Sequence, residues 1–124
     1  MNARGPILLV EDHADLRNAM TSLLEAFGYA VVTAADGSEA LDRLRRGTAP
    51  CLIVLDLEMP RKNGREFRSE QTHDPKLAAI PTIVSSADGN VKQKAAALGI
   101  DGYFEKRGGF DGLLDVVARY CLTE

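Results

Sequence analysis

The chain has 124 residues, of which 45% are hydrophobic and 27% charged, and its formal net charge is −3. This length suits one domain around a single core, and the interspersed charges form no basic stripe of the kind that binds nucleic acid. No apolar run approaches the roughly 20 residues that cross a bilayer, and the N-terminus has no apolar signal-peptide core. We therefore expect a cytoplasmic protein without membrane contact.

Short apolar runs alternate with stretches of helical periodicity along the whole chain, and Gly residues end several of the helices. In chain order, the predicted elements are a strand over residues 7–10, a helix ending at Gly28, a strand over 30–33, a helix from Asp36 to Gly47, a strand over 52–55, a helix from Gly64 towards Gln71, a strand over 82–86, a helix from about residue 90 to Gly99, a strand over 102–105 and a last helix. Residues 75–81 are interpreted as a linking segment. Five strand–helix units of this kind predict a doubly wound parallel sheet with five helices on its two faces.

Apolar side chains at helical spacing mark the inner faces of the first and last helices. In the first helix they are Leu16, Met20, Leu23, Leu24 and Phe27. In the last helix they are Phe110, Leu113, Leu114, Val117 and Tyr120. Cys51 and Cys121 have neither a C-x-x-C spacing nor a third ligand that would suggest zinc, so we expect two reduced, semi-buried thiols.

The central strand, residues 52–55, is rich in branched apolar side chains and stops at Asp56. Pro60 and Gly64 then force a loop, which places the Asp56 carboxylate at the strand tip, where open α/β sheets bind their ligands. Four further polar residues end other strands at the same edge of the predicted sheet: Glu11, Asp12, Ser86 and Lys106.

Three converging carboxylates would repel one another unless a cation joined them. Oxygen ligands alone favour a small hard cation such as Mg²⁺, and a Lys with a Ser hydroxyl supplies donors for anionic oxygens. The set predicts a phosphoryl-transfer site in which Asp56, central and followed by a loop, is the nucleophile.

Four motifs in this order resemble the receiver domain of two-component response regulators, in particular a single-domain chemotaxis regulator. They are the pair Glu11-Asp12, the stretch 56–60 with Gly64, the segment 81–87, and residues 102–106. The resemblance extends over residues 1–124 and implies one receiver domain with a flavodoxin-like fold of strand order 2-1-3-4-5. It also implies Mg²⁺-dependent transfer of a phosphoryl group from a phosphohistidine to an aspartate.

The resemblance also assigns roles to single residues. Asp56 corresponds to the phospho-acceptor, and Mg²⁺, for which Mn²⁺ or Ca²⁺ can substitute, is held by Glu11, Asp12, Asp56 and the backbone carbonyl of Glu58. Lys106 corresponds to the residue that binds a phosphoryl oxygen. Ser86 corresponds to the hydroxyl residue that moves towards the phosphate, and Tyr103 to the aromatic residue that rotates in response.

The partners implied are a sensor histidine kinase or phosphotransfer protein and a downstream protein that docks on the fourth predicted helix, fifth strand and fifth helix. We expect a monomer or weak homodimer that processes no metabolite. One position departs from the family pattern, because Arg107 follows Lys106 where a proline with a cis peptide is usual. A cis bond before a non-proline residue costs about 2.5–4 kcal/mol, so a trans or strained link is expected there.

Other interpretations of the same residues remain open. A pseudo-receiver would share the fold but signal by binding alone, and the missing proline gives it some support. A phosphatase with an aspartyl-phosphate intermediate would need a second aspartate two residues after the nucleophile, where this chain has Glu58. A flavin-binding flavodoxin is excluded because Glu11 and Asp12 would repel the flavin phosphate. Asp56 could also simply cap a turn, and the acidic pair could cap the first helix.

Overall fold

The computed structural model describes residues 5–59, 62–87, 89–100, 102–106 and 109–121. It contains five strands, which are β1 (Ile7–Val10), β2 (Val31–Ala34), β3 (Leu52–Asp56), β4 (Thr82–Ser86) and β5 (Gly102–Glu105). The helices of the described part are α1 (Ala14–Ala26), α2 (Gly37–Arg45), α3 (Gly64–His73), α4 (Pro75–Ala78), α5 (Val91–Ala97) and α6 (Asp111–Ala118). None of these helices is long and apolar enough to span a membrane.

The five strands form one parallel sheet in the order β2-β1-β3-β4-β5, as predicted. The central strand β3 pairs with β1 on one side, where Val10 faces Leu55, and with β4 on the other, where Asp56 faces Ser85. Because all strands point the same way, the residues that follow them emerge at one edge of the sheet. We call this the carboxyl edge, and the opposite one the amino edge.

The core lies on both faces of the sheet, since successive side chains of a strand point to opposite faces. In β1, Ile7 and Leu9 pack with side chains of α1 and α6, whereas Leu8 and Val10 pack with side chains of α2 and α3. A third cluster lies beneath α5 and includes Val84, Val91 and Ile100, among others. The predicted doubly wound arrangement, with helices on both faces, is therefore confirmed.

The predicted number of five helices is wrong, because the linking segment contains the short helix α4. The Asp74 side chain accepts a hydrogen bond from the backbone N–H of Lys76 at 3.0 Å, and Pro75 occupies the first turn, where its missing N–H has no consequence. A helix of 4 residues is too short to show an apolar period in the sequence. Only its turn residues could have indicated it.

Phe27 does not belong to the buried face of α1, contrary to the prediction. The helix ends at Ala26, and Phe27 is its C-cap residue with 57% of its surface exposed. The chain then turns at Gly28, whose φ of 93° lies in the left-handed region that favours glycine. The last residues of α1 to reach the core are therefore Met20 and Leu24.

The prediction of two reduced cysteines is also wrong. Cys51, just before β3, and Cys121, just after α6, form a disulfide bond between residues 70 positions apart in the sequence. Both cysteines are buried, and both belong to the core cluster between the sheet, α1 and α6. The bond joins the amino end of the central strand to the end of the last helix.

Candidate functional site

The carboxyl ends of three strands bring together the charged residues that the sequence singled out. Glu11 and Asp12 follow β1, Asp56 ends β3 and Lys106 follows β5. One carboxylate oxygen each of Glu11, Asp12 and Asp56 lies within 4.8 Å of the others. The ammonium of Lys106 lies 2.5 Å from Glu11 Oε1 and 3.5 Å from Asp56 Oδ1, so it forms an ion pair with both.

Burial makes this pocket electrostatically unusual. Glu11 and Asp56 are only 2% and 3% exposed, whereas Asp12 lies at the surface. Removal from water raises the pKa of Asp56 from its ordinary 3.8 to about 7, and the neighbouring Glu11 carboxylate adds to the rise. Lys106 and the backbone N–H of Glu58 act in the opposite direction, since both favour the ionised form of Asp56.

The loop after β3 is held against the backbone of Asp56. The N–H of Glu58 donates to Asp56 Oδ1 at 3.2 Å, and the N–H of Gly64 donates to the carbonyl of Leu57 at 3.1 Å. A Cβ at position 64 would lie 2.7 Å from both the Asp56 carbonyl oxygen and Leu57 Cα, so only glycine allows this close approach. Gly64 is also the first residue of α3, which begins with a capping box between Asn63 and Glu66.

The loop after β1 is fixed by hydrogen bonds to its backbone. The N–H of Glu11 donates to the carbonyl of Ala34 in β2 at 3.0 Å, and Glu11 Oε2 accepts the N–H of His13 at 3.2 Å. His13 in turn caps α1, because its Nδ1 accepts the N–H of Leu16. Arg17 donates from its Nη1 to the carbonyl of Glu11 at 3.0 Å.

Two basic residues that lie at this edge of the sheet were not identified from the sequence. Arg17 lies in the first turns of α1, and Lys94 of α5 forms an ion pair with the Glu58 side chain at 3.4 Å. A basic residue about one helical turn after the acidic pair was the available signal for Arg17. No local pattern links Lys94 to Glu58, which lies 36 positions earlier in the chain.

Ser86 and Tyr103 occupy different surroundings. Ser86 is the last residue of β4, is buried, and directly follows Ser85, the β4 partner of Asp56. Tyr103 in β5 is 37% exposed and lies outside the acidic pocket. It lines a cleft of about 340 Å³ with residues of α5 and the turn that follows: Lys92, Ala96, Gly99 and Ile100.

The predicted link between Lys106 and Arg107 lies outside the described residues. Two residues beyond that link, Gly109 adopts a φ of 85°, a left-handed conformation that favours glycine. Lys106 nevertheless points its ammonium into the acidic pocket, with only 12% of its side chain exposed.

The donor set fits a hard divalent cation. Three carboxylates with one ammonium leave excess negative charge in a largely buried site, and their oxygens are the ligands that Mg²⁺ prefers. Glu11, Asp12 and Asp56 are the residues that would hold such an ion. Fold and site together define a flavodoxin-like α/β domain with an acidic pocket and a lysine at the carboxyl edge of its sheet.

Residues 7–118 match the family model of the response regulator receiver domain, and the chain belongs to this family. It is 36% identical over 106 residues to a probable transcriptional regulator, ycf27, of Porphyridium aerugineum. The match covers 81% of this chain but 41% of that protein, so the chain spans about two fifths of the length of such curated relatives.

Solved structures show the same similarity. The response regulator TrrA of Thermotoga maritima, crystallised in complex with Mg²⁺-BeF, is 29% identical with a TM-score of 0.81, covering 94% of this chain and 98% of TrrA. The phosphorylated cyanobacterial phytochrome response regulator RcpA is 33% identical with a TM-score of 0.77, covering 93% of this chain and 89% of RcpA. The predicted family and fold are thus confirmed.

Proposed function

We propose that this chain is a phospho-accepting receiver domain in which Asp56 takes a phosphoryl group from the phosphohistidine of a histidine kinase or phosphotransfer protein. The observation that carries the proposal is the convergence of Glu11, Asp12 and Asp56 within 4.8 Å, with Lys106 beside them. The crystallised states of two similar proteins, TrrA with Mg²⁺-BeF and phosphorylated RcpA, support it.

In this reaction a carboxylate oxygen of Asp56 attacks phosphorus while the bond from phosphorus to the donor nitrogen breaks. The Lys106 ammonium, 3.5 Å from Asp56 Oδ1, is placed to contact an anionic oxygen of the transferring group. The N–H of Glu58 orients the acceptor carboxylate and favours its ionised form. Glu11, Asp12, Asp56 and the carbonyl of Glu58 are the proposed Mg²⁺ ligands. When bound, Mg²⁺ neutralises charge on the phosphoryl group, a role that Mn²⁺ or Ca²⁺ can share.

Phosphorylation adds a dianion at the carboxyl edge, next to the buried end of β4. We propose that Ser86 moves to donate its hydroxyl to the phosphoryl group and that Tyr103 then turns inward from its exposed position. The surface formed by α5, β5 and α6, which corresponds to the fourth helix, fifth strand and fifth helix of the sequence prediction, would change and dock a downstream protein.

The proposed domain acts on its own aspartate and is not an enzyme of metabolism. We further propose a cytoplasmic location and a monomeric or weakly dimeric state. The pseudo-receiver alternative is not favoured, because the acceptor, the acidic pair and the lysine are all in one pocket. The phosphatase alternative lacks its second aspartate, since position 58 is Glu.

The test is intact mass spectrometry after incubation with acetyl phosphate and Mg²⁺. We expect a gain of one phosphoryl group that disappears in Asp56→Asn and in the presence of EDTA. Asp42→Asn is the matched control, because Asp42 is an exposed aspartate of α2 that pairs with Arg46. No gain in folded wild-type protein would contradict the proposal and favour the pseudo-receiver. An equal gain in wild type and Asp56→Asn would place the acceptor elsewhere.

A further inference from the structure

Arg17 connects α1 to the backbone of the acidic loop. Its guanidinium Nη1 donates to the carbonyl of Glu11 at 3.0 Å and lies 3.5 Å from the carbonyl of Asp12. The side chain is half-buried, and its backbone N–H is already used within α1, where it donates to the carbonyl of His13. Arg17 therefore contacts the two peptide groups that follow Glu11 and Asp12, and within the described part of the chain it contacts no carboxylate.

The two acids of the pair are held very differently. The Glu11 side chain is fixed by the N–H of His13 and by Lys106. The Asp12 carboxylate is exposed and makes no hydrogen bond or ion pair within the part of the chain that the structure describes. The backbone therefore sets which region this carboxylate can reach, and the contacts that hold the backbone keep it within reach of the pocket.

We propose that Arg17 is a positioning residue for Mg²⁺ binding. Its guanidinium holds the loop of residues 11–13 so that the Asp12 and Glu11 carboxylates converge with Asp56. The inference rests on the proposed function, because it assigns Arg17 a role at the same metal site. β2 holds the N–H of Glu11 through the carbonyl of Ala34, and Arg17 holds the carbonyl of Glu11 from the other side. Together they fix both polar groups of this residue's backbone.

The charge of Arg17 allows a sharp test, since charge and positioning act in opposite directions. A guanidinium near the site repels a divalent cation, so removing it would tighten metal binding if charge were its main effect. If positioning dominates, removing it frees the loop and weakens binding. Arg17→Gln therefore gives opposite signs for the two cases, and Arg17→Lys keeps the charge but loses the planar donor group.

The experiment is a calorimetric titration of the full chain with Mg²⁺ at constant salt. We expect Arg17→Gln to raise the Kd about fivefold, which corresponds to one hydrogen bond of about 1 kcal/mol. Arg17→Lys, which also loses the planar donor group but keeps the repelling charge, should raise it at least as much. Arg43→Gln is the matched control, because Arg43 also donates from a helix to a backbone carbonyl, that of Thr33 on the edge strand β2, at 2.6 Å. Its Kd should equal that of the wild type.

A second readout separates positioning from chemistry. With Mg²⁺ raised to saturation, Arg17→Gln should accept phosphoryl from acetyl phosphate at the wild-type rate, so that only the Mg²⁺ dependence shifts. Thermal unfolding in EDTA shows whether Arg17→Gln is folded. If Arg17→Gln does not fold, Arg17→Lys takes its place in the Mg²⁺ titration and in the phosphorylation assay.

An unchanged or lower Kd for Mg²⁺ in Arg17→Gln, or a lower phosphorylation rate at saturating Mg²⁺, would overturn the positioning role of Arg17 but not the proposed function. If the wild-type protein itself did not bind Mg²⁺, the proposed function would fail and the inference with it. Binding by wild type, with equal affinities for the wild type, Arg17→Gln and Arg43→Gln, would leave the proposed function standing and remove only the inference.

Discussion

The two edges of the sheet are built on opposite physical principles. The amino edge holds the buried Cys51–Cys121 disulfide beside a cleft of about 520 Å³, whose lining is mostly apolar and includes Leu44, Pro50, Leu77, Ile80 and Pro81. The carboxyl edge holds two buried carboxylates, a third at the surface and one lysine. The first arrangement stabilises the fold, whereas the second places like charges together in a poorly solvated pocket.

The central strand β3 connects the disulfide directly to the acidic pocket, because it begins just after Cys51 and ends at Asp56. Burial disfavours the ionised form of Asp56 and raises its pKa to about 7. Sites that bind a cation or phosphate commonly carry such an unfavourable arrangement, which the rest of the fold must offset. The comparison predicts that variants at the amino edge change stability without changing the site, and that variants at the carboxyl edge change both.

The largest effect is expected from removing the disulfide. Replacing both Cys51 and Cys121 by Ser should lower the free energy of unfolding by about 4 kcal/mol, because the bond joins residues 70 positions apart and restricts the unfolded chain. Urea unfolding of the oxidised wild type and the double variant measures the difference. Reduced wild type is the control and should resemble the variant. Equal stabilities for all three samples would show that the amino edge is not stabilised in this way.

A smaller effect is expected from Gly64→Ala, next to the backbone of Asp56. The new Cβ would lie 2.7 Å from backbone atoms of Asp56 and Leu57, which have little room to move. We expect a loss of about 2–3 kcal/mol in urea unfolding, together with weaker Mg²⁺ binding. Gly112→Ala in α6 is the control, because its Cβ would meet only the Phe104 ring at 3.7 Å. That variant should gain about 0.5–1 kcal/mol from helix propensity. A similar gain in Gly64→Ala would contradict the close packing described for the loop after β3.

The contrast between the edges also explains what could be predicted from the sequence. The parallel sheet and the convergence of Glu11, Asp56 and Lys106 follow from local apolar patterns and from the rule that parallel strands end at one edge. The strand order was implied by the resemblance to receiver domains. The disulfide could not be predicted, because it depends on how closely the chain brings together Cys51 and Cys121.

The remaining errors share this dependence on three-dimensional detail. Arg17 was missed because its reach to the carbonyl of Glu11 depends on a side-chain conformation and on the path of the loop. Phe27 fits the apolar period of α1, but the helix ends before it. The roles of Ser86 and Tyr103 stay predictions, since they concern a change between two states of the domain.

The pH dependence of stability separates the two edges most directly. Folding raises the pKa of Asp56 from 3.8 to about 7, so between these values the folded chain holds a proton that the unfolded chain has lost. In EDTA, the stability of the wild type should therefore fall as the pH rises from about 4 to 7 and stay low above it.

Asp56→Asn has no such titration, so its stability should exceed that of the wild type by up to about 4 kcal/mol at pH 8, but by little at pH 4. Urea unfolding across this range, in EDTA, measures both curves. The double Cys variant provides the contrast, because its curve should run parallel to that of the wild type at lower stability throughout. Parallel curves for wild type and Asp56→Asn would mean that the buried carboxylate does not destabilise the fold, and the electrostatic difference between the two edges would then disappear.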